Sequence, residues 1–315
     1  MKTHYLKAIL LSVLMSAVTT AAGCSRDTNN TGSIRLGYLQ SDLHHLPVFV
    51  ALEKNFFEDE GLQVTVGGIF RAGPEEMSAF AANELDIGYV GLAPAATAAL
   101  NGVADITILA QVNIEGSAVV CRPETTSLDQ IRGKTIAIPG HATMQDCLIQ
   151  KGAQKAGLTP EMLRLMVLKP PEMLQAMMAG NIECFIAWEP YLAQALSMGE
   201  GTIVARSNAL WKEHPCCVLI ADSRFAQSRP EDTKKIIRAH RRACRFISDH
   251  PGEALTIAVR YTGMPRNVIK QAMSHMRYSP DIDRAKTGDF ADFLSDLHYL
   301  SPSSKTKKLR FFNEN

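Results

Sequence analysis

Short apolar runs of four to six residues alternate along the chain with stretches whose apolar positions recur every three or four residues. The first pattern predicts buried strands and the second amphipathic helices. A strand is expected over Ile34 to Leu39, then a helix from Pro47 to Glu60 in which Val48, Ala51, Leu52 and Phe56 share a face and Gly61 supplies the left-handed stop. A second strand follows over Leu62 to Val66. The same order then returns as strand Thr135 to Pro139, a helix from Met144 to Ala156 ended by Gly157, and strand Leu165 to Leu168. Thr143, with Asp146 three residues later, has the spacing of a capping box at the start of the second helix.

The recurrence is an internal repeat. Pro74-Glu75-Glu76-Met77-Ser78-Ala79 aligns with Pro171-Glu172-Met173-Leu174-Gln175-Ala176, and Asn83-Glu84-Leu85-Asp86-Ile87 with Gly180-Asn181-Ile182-Glu183-Cys184. Gly91-Leu92-Ala93-Pro94 falls beside Trp188-Glu189-Pro190-Tyr191 with a one-residue offset. Each copy therefore reads helix, turn, short strand, loop, helix. Strands alternating with helices through short loops define the fold class α/β, with parallel strands covered by helices on both faces. After the second copy come an apolar strand, Cys216 to Ala221, and helices from about Arg229 to His298. No Pro-, Gly- or Ser-rich linker separates the copies, so the chain is expected to cross near Gly116 to Cys121 and return near Cys216 to Ala221. This gives two Rossmann-like lobes on a two-strand hinge: 33–117 with 219–315, and 118–218.

Charge and composition narrow the function. Of 315 residues, 33 are Lys or Arg and 32 Asp or Glu, a formal charge of +1, so no basic excess is available to grip nucleic acid. At 46% hydrophobic and 21% charged, the chain has ordinary globular usage rather than that of a disordered or polytopic membrane protein. Lys2 and Lys7 precede an apolar run, Ala8 to Val18, that is too short for a bilayer core needing about 20 residues and reads as an export signal over 1–23. The small residues Ala21-Ala22-Gly23 before Cys24 resemble a bacterial lipobox, so Cys24 is the expected lipidation site and 24–32 a polar tether to the membrane. The six other cysteines, Cys121, Cys147, Cys184, Cys216, Cys217 and Cys244, could pair in an exported protein. A chain of this length does not need staples, and most of them are read as small buried hydrophobes.

Four stretches resemble the substrate-binding proteins of ABC importers for nitrate, sulfonates, taurine and thiamine precursors, which are related to the thiamine-pyrimidine synthases of fungi. They are Ile34-Arg35-Leu36-Gly37-Tyr38, Phe49 to Lys54 running on to Gly61-Leu62, Gly133 to Gly140, and Trp188-Glu189-Pro190-Tyr191. The resemblance implies a type II periplasmic-binding-protein fold and ligand capture by lobe closure. It also implies delivery to a membrane permease driven by an ATPase, with a small polar, anionic solute and no catalysis. A monomer is expected, with no cofactor and no bound metal. The alternative is a pyrimidine synthase-like enzyme on the same fold, against which the export signal argues.

In open α/β sheets ligands lie beyond the carboxyl ends of the strands. Candidate ligand-binding residues are accordingly Gln40, His44, His45, Arg71, Gly91 and Leu92 in the first lobe and His141, Thr143, Trp188 and Glu189 in the second, with Asn113 and Glu115 at the crossover. Neighbouring residues at a helix entrance point in different directions, so one of His44 and His45 is expected to face the cleft and the other to be buried. His214-Pro215-Cys216-Cys217 is the one local cluster with chemical potential, and His214 is taken as a further candidate. Adjacent side chains on a regular strand point to opposite faces, so Cys216 and Cys217 are not expected to share a metal.

Overall fold

The computed structural model describes residues 32–302, 304 and 307–314. The signal segment, Cys24 and the tether up to Thr31 lie outside the described residues. Among the described residues no helix is long and apolar enough to cross a membrane.

Among the described residues eleven strands form two mixed sheets. They are β1 (Ile34–Leu39), β2 (Val64–Phe70), β3 (Ile87–Gly91), β4 (Ile106–Ile114), β5 (Ser117–Cys121), β6 (Thr135–Ile138), β7 (Arg164–Val167), β8 (Cys184–Trp188), β9 (Thr202–Arg206), β10 (Pro215–Asp222) and β11 (Arg277–Tyr278). One sheet has the order β11-β4-β10-β3-β1-β2 and the other β7-β6-β8-β5-β9. Set side by side, β2-β1-β3-β10-β4 and β7-β6-β8-β5-β9 share one plan, which carries the sequence repeat into three dimensions. The sheets are not wholly parallel: β10 runs antiparallel to β3 and β4, and β5 antiparallel to β8 and β9. Apart from the short edge strand β11, which runs antiparallel to β4, the antiparallel strand in each lobe is the one that arrives from the other lobe. Sheet membership changes at Ser117 on the way out and at Pro215 on the way back.

The local chemistry explains the elements and their departures from expectation. The first long helix breaks in two, Leu46–Glu53 and Phe56–Asp59, because Asn55 takes a left-handed φ of 57°, a conformation that asparagine tolerates. Gly61 follows at φ 73°. The second helix, Met144–Lys155, begins at Thr143, whose hydroxyl accepts from the Asp146 N–H. Asp146 reaches back one residue further than in a capping box, accepting from the Ala142 N–H at 2.9 Å.

Alternation along the second sheet places Ala118, Val120, Phe185 and Ala187 in one core, against the helices Pro170–Met178 and Tyr191–Ser197. Val119, Cys121, Cys184 and Ile186 face the opposite core with Leu148 and Ile149 of the helix Met144–Lys155. Cys121 and Cys184 stand opposite each other on β5 and β8 and form a disulfide. The other four cysteines among the described residues, Cys147, Cys216, Cys217 and Cys244, are unpaired and buried. The first sheet is covered by the helices Pro230–Asp249 and Pro251–Thr262, whose Ile236, Ile237, Ala254 and Ala258 join its core.

Candidate functional site

The two sheets face each other across a small, partly open space. Leu39, Asp42, His44, Gly73, Gly91, Pro94, Cys216 and Cys217 line it from one lobe, and Thr143, Met144, Gln145 and Trp188 from the other. Three helices start at this space: Gly73–Ala81, Leu92–Asn101 behind its N-cap Gly91, and Met144–Lys155 behind Thr143. Their unsatisfied N–H groups and dipole ends make the space favourable to negative charge. The cavity is ≈ 20 Å³, room for one water-sized body.

Two ion pairs bridge the lobes beside it. Lys169 meets the Glu75 carboxylate, and Arg71 lies 3.7 Å from Glu172. Glu75 and Glu172 occupy corresponding positions in the two copies of the repeat, so the pairs form a pseudo-twofold clasp. On the inner side the Leu43 N–H donates to the Glu189 carbonyl at 3.1 Å, and the Tyr278 hydroxyl donates to the Leu43 carbonyl at 2.8 Å.

The floor of the cavity is built around an irregularity in β10. Pro215 pairs with Ile114 and Cys217 with Asn113, two residues advancing against one, so Cys216 is the extra residue of a β-bulge. Side chains of β4 repair the ladder. The Asn113 Oδ1 accepts from the Cys217 N–H at 3.1 Å, and the Gln111 Nε2 donates to the carbonyls of Asn113 and Cys217 at 2.8 and 2.9 Å. The bulge overturns the expectation that the two thiols diverge: Cys216 Sγ and Cys217 Sγ lie 3.5 and 3.7 Å from the same His44 Nδ1.

His44 and His45 are both buried, and of the two only His44 lines the cavity. Both sit in a single 3-10 turn, Leu43–His45, which is covered by Glu189 and Tyr278. His44 Nε2–H donates to the Gly116 carbonyl at 3.0 Å, and His45 Nδ1 accepts from the Leu39 N–H at 3.1 Å. Gly116, at φ 91°, is required here, since a Cβ would lie 2.5 Å from His44 Nε2.

Electrostatics follow from this packing. Burial acts to lower the His44 imidazole, but the Cys216 thiolate and the Asp42 carboxylate beside it outweigh that and hold it up at about 9. Cys216 is held well below the usual thiol value, first by the hydrogen bond from Cys217 and then by His44 against its own burial, whereas burial drives Cys217 well above it. Burial raises Asp42 to about 7 and, with the neighbouring His44 charge, lowers His45 to about 3.

Of the residues nominated from sequence, the structure brings His44, Gly91, Thr143 and Trp188 together at the cavity. The Thr143 hydroxyl is spent on its own helix, donating to the Gly140 carbonyl at 2.7 Å and accepting from the Asp146 N–H. Glu189 is buried behind the cavity, where it caps the following helix through Ala193 N–H at 3.1 Å and accepts from His275 at 3.0 Å. Asn113 serves the bulge. Glu115 joins the two crossovers, its carboxylate accepting from the Glu213 N–H at 2.9 Å. His214 is buried, its Nδ1 2.8 Å from the Trp211 carbonyl. Leu92 is core, and Gln40, Arg71 and His141 are exposed outside the cavity lining. Asp42, Gly73, Met144 and Gln145 were not nominated. Asp42 carried a signal, an Asx residue opening a turn, and it accepts from the His44 N–H at 2.8 Å.

Two lobes of one plan, two crossing strands and a cavity ringed by helix N-termini define a solute-binding protein of the periplasmic-binding-protein fold. The chain belongs to the NMT1-like family, whose profile matches residues 27–260. A putative aliphatic sulfonates-binding protein of Bacillus subtilis is 25% identical, over 89% of this chain and 88% of that protein. The taurine-binding periplasmic protein of Escherichia coli is 23% identical, over 84% of this chain and 78% of its own. The solved alkanesulfonate-binding protein SsuA of Xanthomonas axonopodis pv. citri, bound to MOPS, superposes with a TM-score of 0.77 at 17% identity, covering 86% of this chain and 95% of that one. All three relatives carry the names of binding proteins.

Proposed function

We propose that the protein is the extracytoplasmic receptor of an ABC importer, anchored as a monomer through acylated Cys24, and that it hands a small anionic organic solute to a permease driven by an ATPase. The observation that carries this reading is the convergence of three helix N-termini, two from one lobe and one from the other, on a single space between the lobes. At ≈ 20 Å³ the space is too small for a sulfonate, so capture requires the clasp to release and the lobes to part before they close on the solute. Trp188 then forms an apolar wall from the second lobe, while the helix ends receive the acidic group. The sulfonate- and taurine-binding relatives favour an organic sulfonate.

A melting screen of the mature protein against taurine, longer alkanesulfonates, nitrate, carboxylates, pyrimidines and flavins tests this. A cognate solute at 100 times its dissociation constant adds about 2.7 kcal/mol of stability. Stabilisation by sulfonates is expected, and no shift with any anion would defeat the reading. For the anchor, membrane-bound protein should carry an acylated Cys24 by mass spectrometry and Cys24→Ala should be released; an unmodified N-terminus would remove the lipoprotein claim.

A further inference from the structure

The floor of the cavity has a second chemistry that anion capture does not use. Three donor atoms from two polypeptide segments, His44 Nδ1 of the 3-10 turn and Cys216 Sγ and Cys217 Sγ of β10, lie within 4.8 Å of one another, all on buried residues. Donors at about 2.0 Å (N) and 2.3 Å (S) from one tetrahedral zinc stand about 3.6 Å apart. The two N···S distances here are 3.5 and 3.7 Å. The bulge at Cys216 creates this match, since on a regular strand the two sulfurs would diverge.

The surroundings have the form of a metal site's outer shell. His44 Nε2–H donates to the Gly116 carbonyl, which fixes the ring and turns Nδ1 toward both sulfurs. Asn113 and Gln111 hold the bulged backbone in place. Polar atoms close by are buried without partners, among them His45 Nε2, which lies 3.8 Å from Asp42 Oδ2, and Trp188 Nε1. The cavity onto which His44, Cys216 and Cys217 open has room for a water-sized body and is faced from the other lobe by Gln145 and Trp188.

We infer that His44, Cys216 and Cys217 form a binding site for one thiophilic d10 cation, zinc(II) or copper(I), with its remaining coordination position directed into the cleft. Two thiolates and one imidazole favour such ions over magnesium or calcium. The Cys217 thiol and the His44 imidazolium lose their protons to the solvent as the ion enters, while Cys216 enters as the thiolate. This goes beyond the solute-receptor reading and stands apart from it, because metal binding is scored by spectroscopy and solute binding by melting in the presence of a chelator.

The test uses the mature chain with its disulfide intact, stripped of metal and handled without oxygen. Cobalt(II) serves as the optical probe. The expected result is one cobalt per chain, a sulfur-to-cobalt charge-transfer band with the visible bands of a tetrahedral ion, and displacement by zinc. His44→Gln, Cys216→Ser and Cys217→Ser should each weaken binding by at least about 100-fold, more than a typical outer-shell loss. Cys147→Ser and Cys244→Ser should leave it unchanged. Zinc-edge X-ray absorption on the unaltered protein needs no variant and should show two sulfur neighbours. Fewer than two sulfurs, no stoichiometric cobalt band, or a band that survives Cys216→Ser would overturn the assignment.

Discussion

The clasp makes a quantitative demand on lobe closure. Glu75→Gln with Glu172→Gln keeps the shape of both side chains and removes both inter-lobe ion pairs. Arg71 and Glu172 are more than half exposed, at 62% and 53%, and Lys169 and Glu75 are part-buried, at 28% and 40%, so solvent screens both pairs. Pairs of this kind contribute about 0.2–1 kcal/mol each, together about 0.4–2 kcal/mol. That amounts to a 2- to 30-fold shift, to order of magnitude, toward the open population. Trp188 reports the change because it lines the cavity at 3% exposure, while Trp211, the only other tryptophan, packs on Phe290 and Phe293. In a Trp211→Phe background the double variant should emit at longer wavelength than its parent at low salt. At 1 M salt, where the Debye length is about 3 Å, the parent should move toward the variant. Identical emission and identical salt response in the two proteins would refute the clasp.

Other consequences are independent of it. The Cys121–Cys184 bridge closes a separation of 63 residues, so Cys121→Ala with Cys184→Ala should cost about 4 kcal/mol in denaturant titration; an unchanged midpoint, or a peptide map without the cross-link, contradicts the pairing. His240 is buried between the Tyr89 hydroxyl and the Gln111 carbonyl, and burial lowers it from 6.5 to about 4. Between those values the unfolded chain binds a proton that the folded chain refuses, so stability falls as pH drops through this window. The contribution of His240 is at most about 1.4 kcal/mol per pH unit and is lost in His240→Asn, which should fall less steeply because only His45 still refuses a proton there; parallel stability curves for the two proteins would refute it. Thr143→Ala should lose about 1 kcal/mol of stability and Thr143→Ser almost none, because the hydroxyl caps its helix; equal losses in chemical denaturation would point to the methyl group instead.

The repeat made the two-lobe plan readable from the chain, because each copy carries its own helix stops and strand lengths. Strand direction was not readable: the apolar runs of β5 and β10 carry no mark of which sheet neighbour they run against, and both proved antiparallel. The disulfide depended on the β5–β8 register, which places Cys121 opposite Cys184. The cavity floor was hidden for a related reason. The bulge at Cys216 is sustained by Gln111 and Asn113 of a neighbouring strand, so adjacency in the chain gave the wrong geometry for the thiols. The turn that carries His44 and His45 is likewise held through Leu43 by Glu189 and Tyr278, residues far along the chain. What could be read for the site was the positions of the strand-to-helix loops, and those loops supply Gly91, Thr143 and Trp188 to the cavity.

The central claim is that a solute is held between lobes that close upon it, and small-angle scattering tests this most directly. A solute identified by the melting screen should reduce the radius of gyration and bring the scattering profile to the closed arrangement described here. The solute-free protein should include a more extended population. Superimposable profiles with and without a saturating solute would place binding outside the cleft and contradict the account.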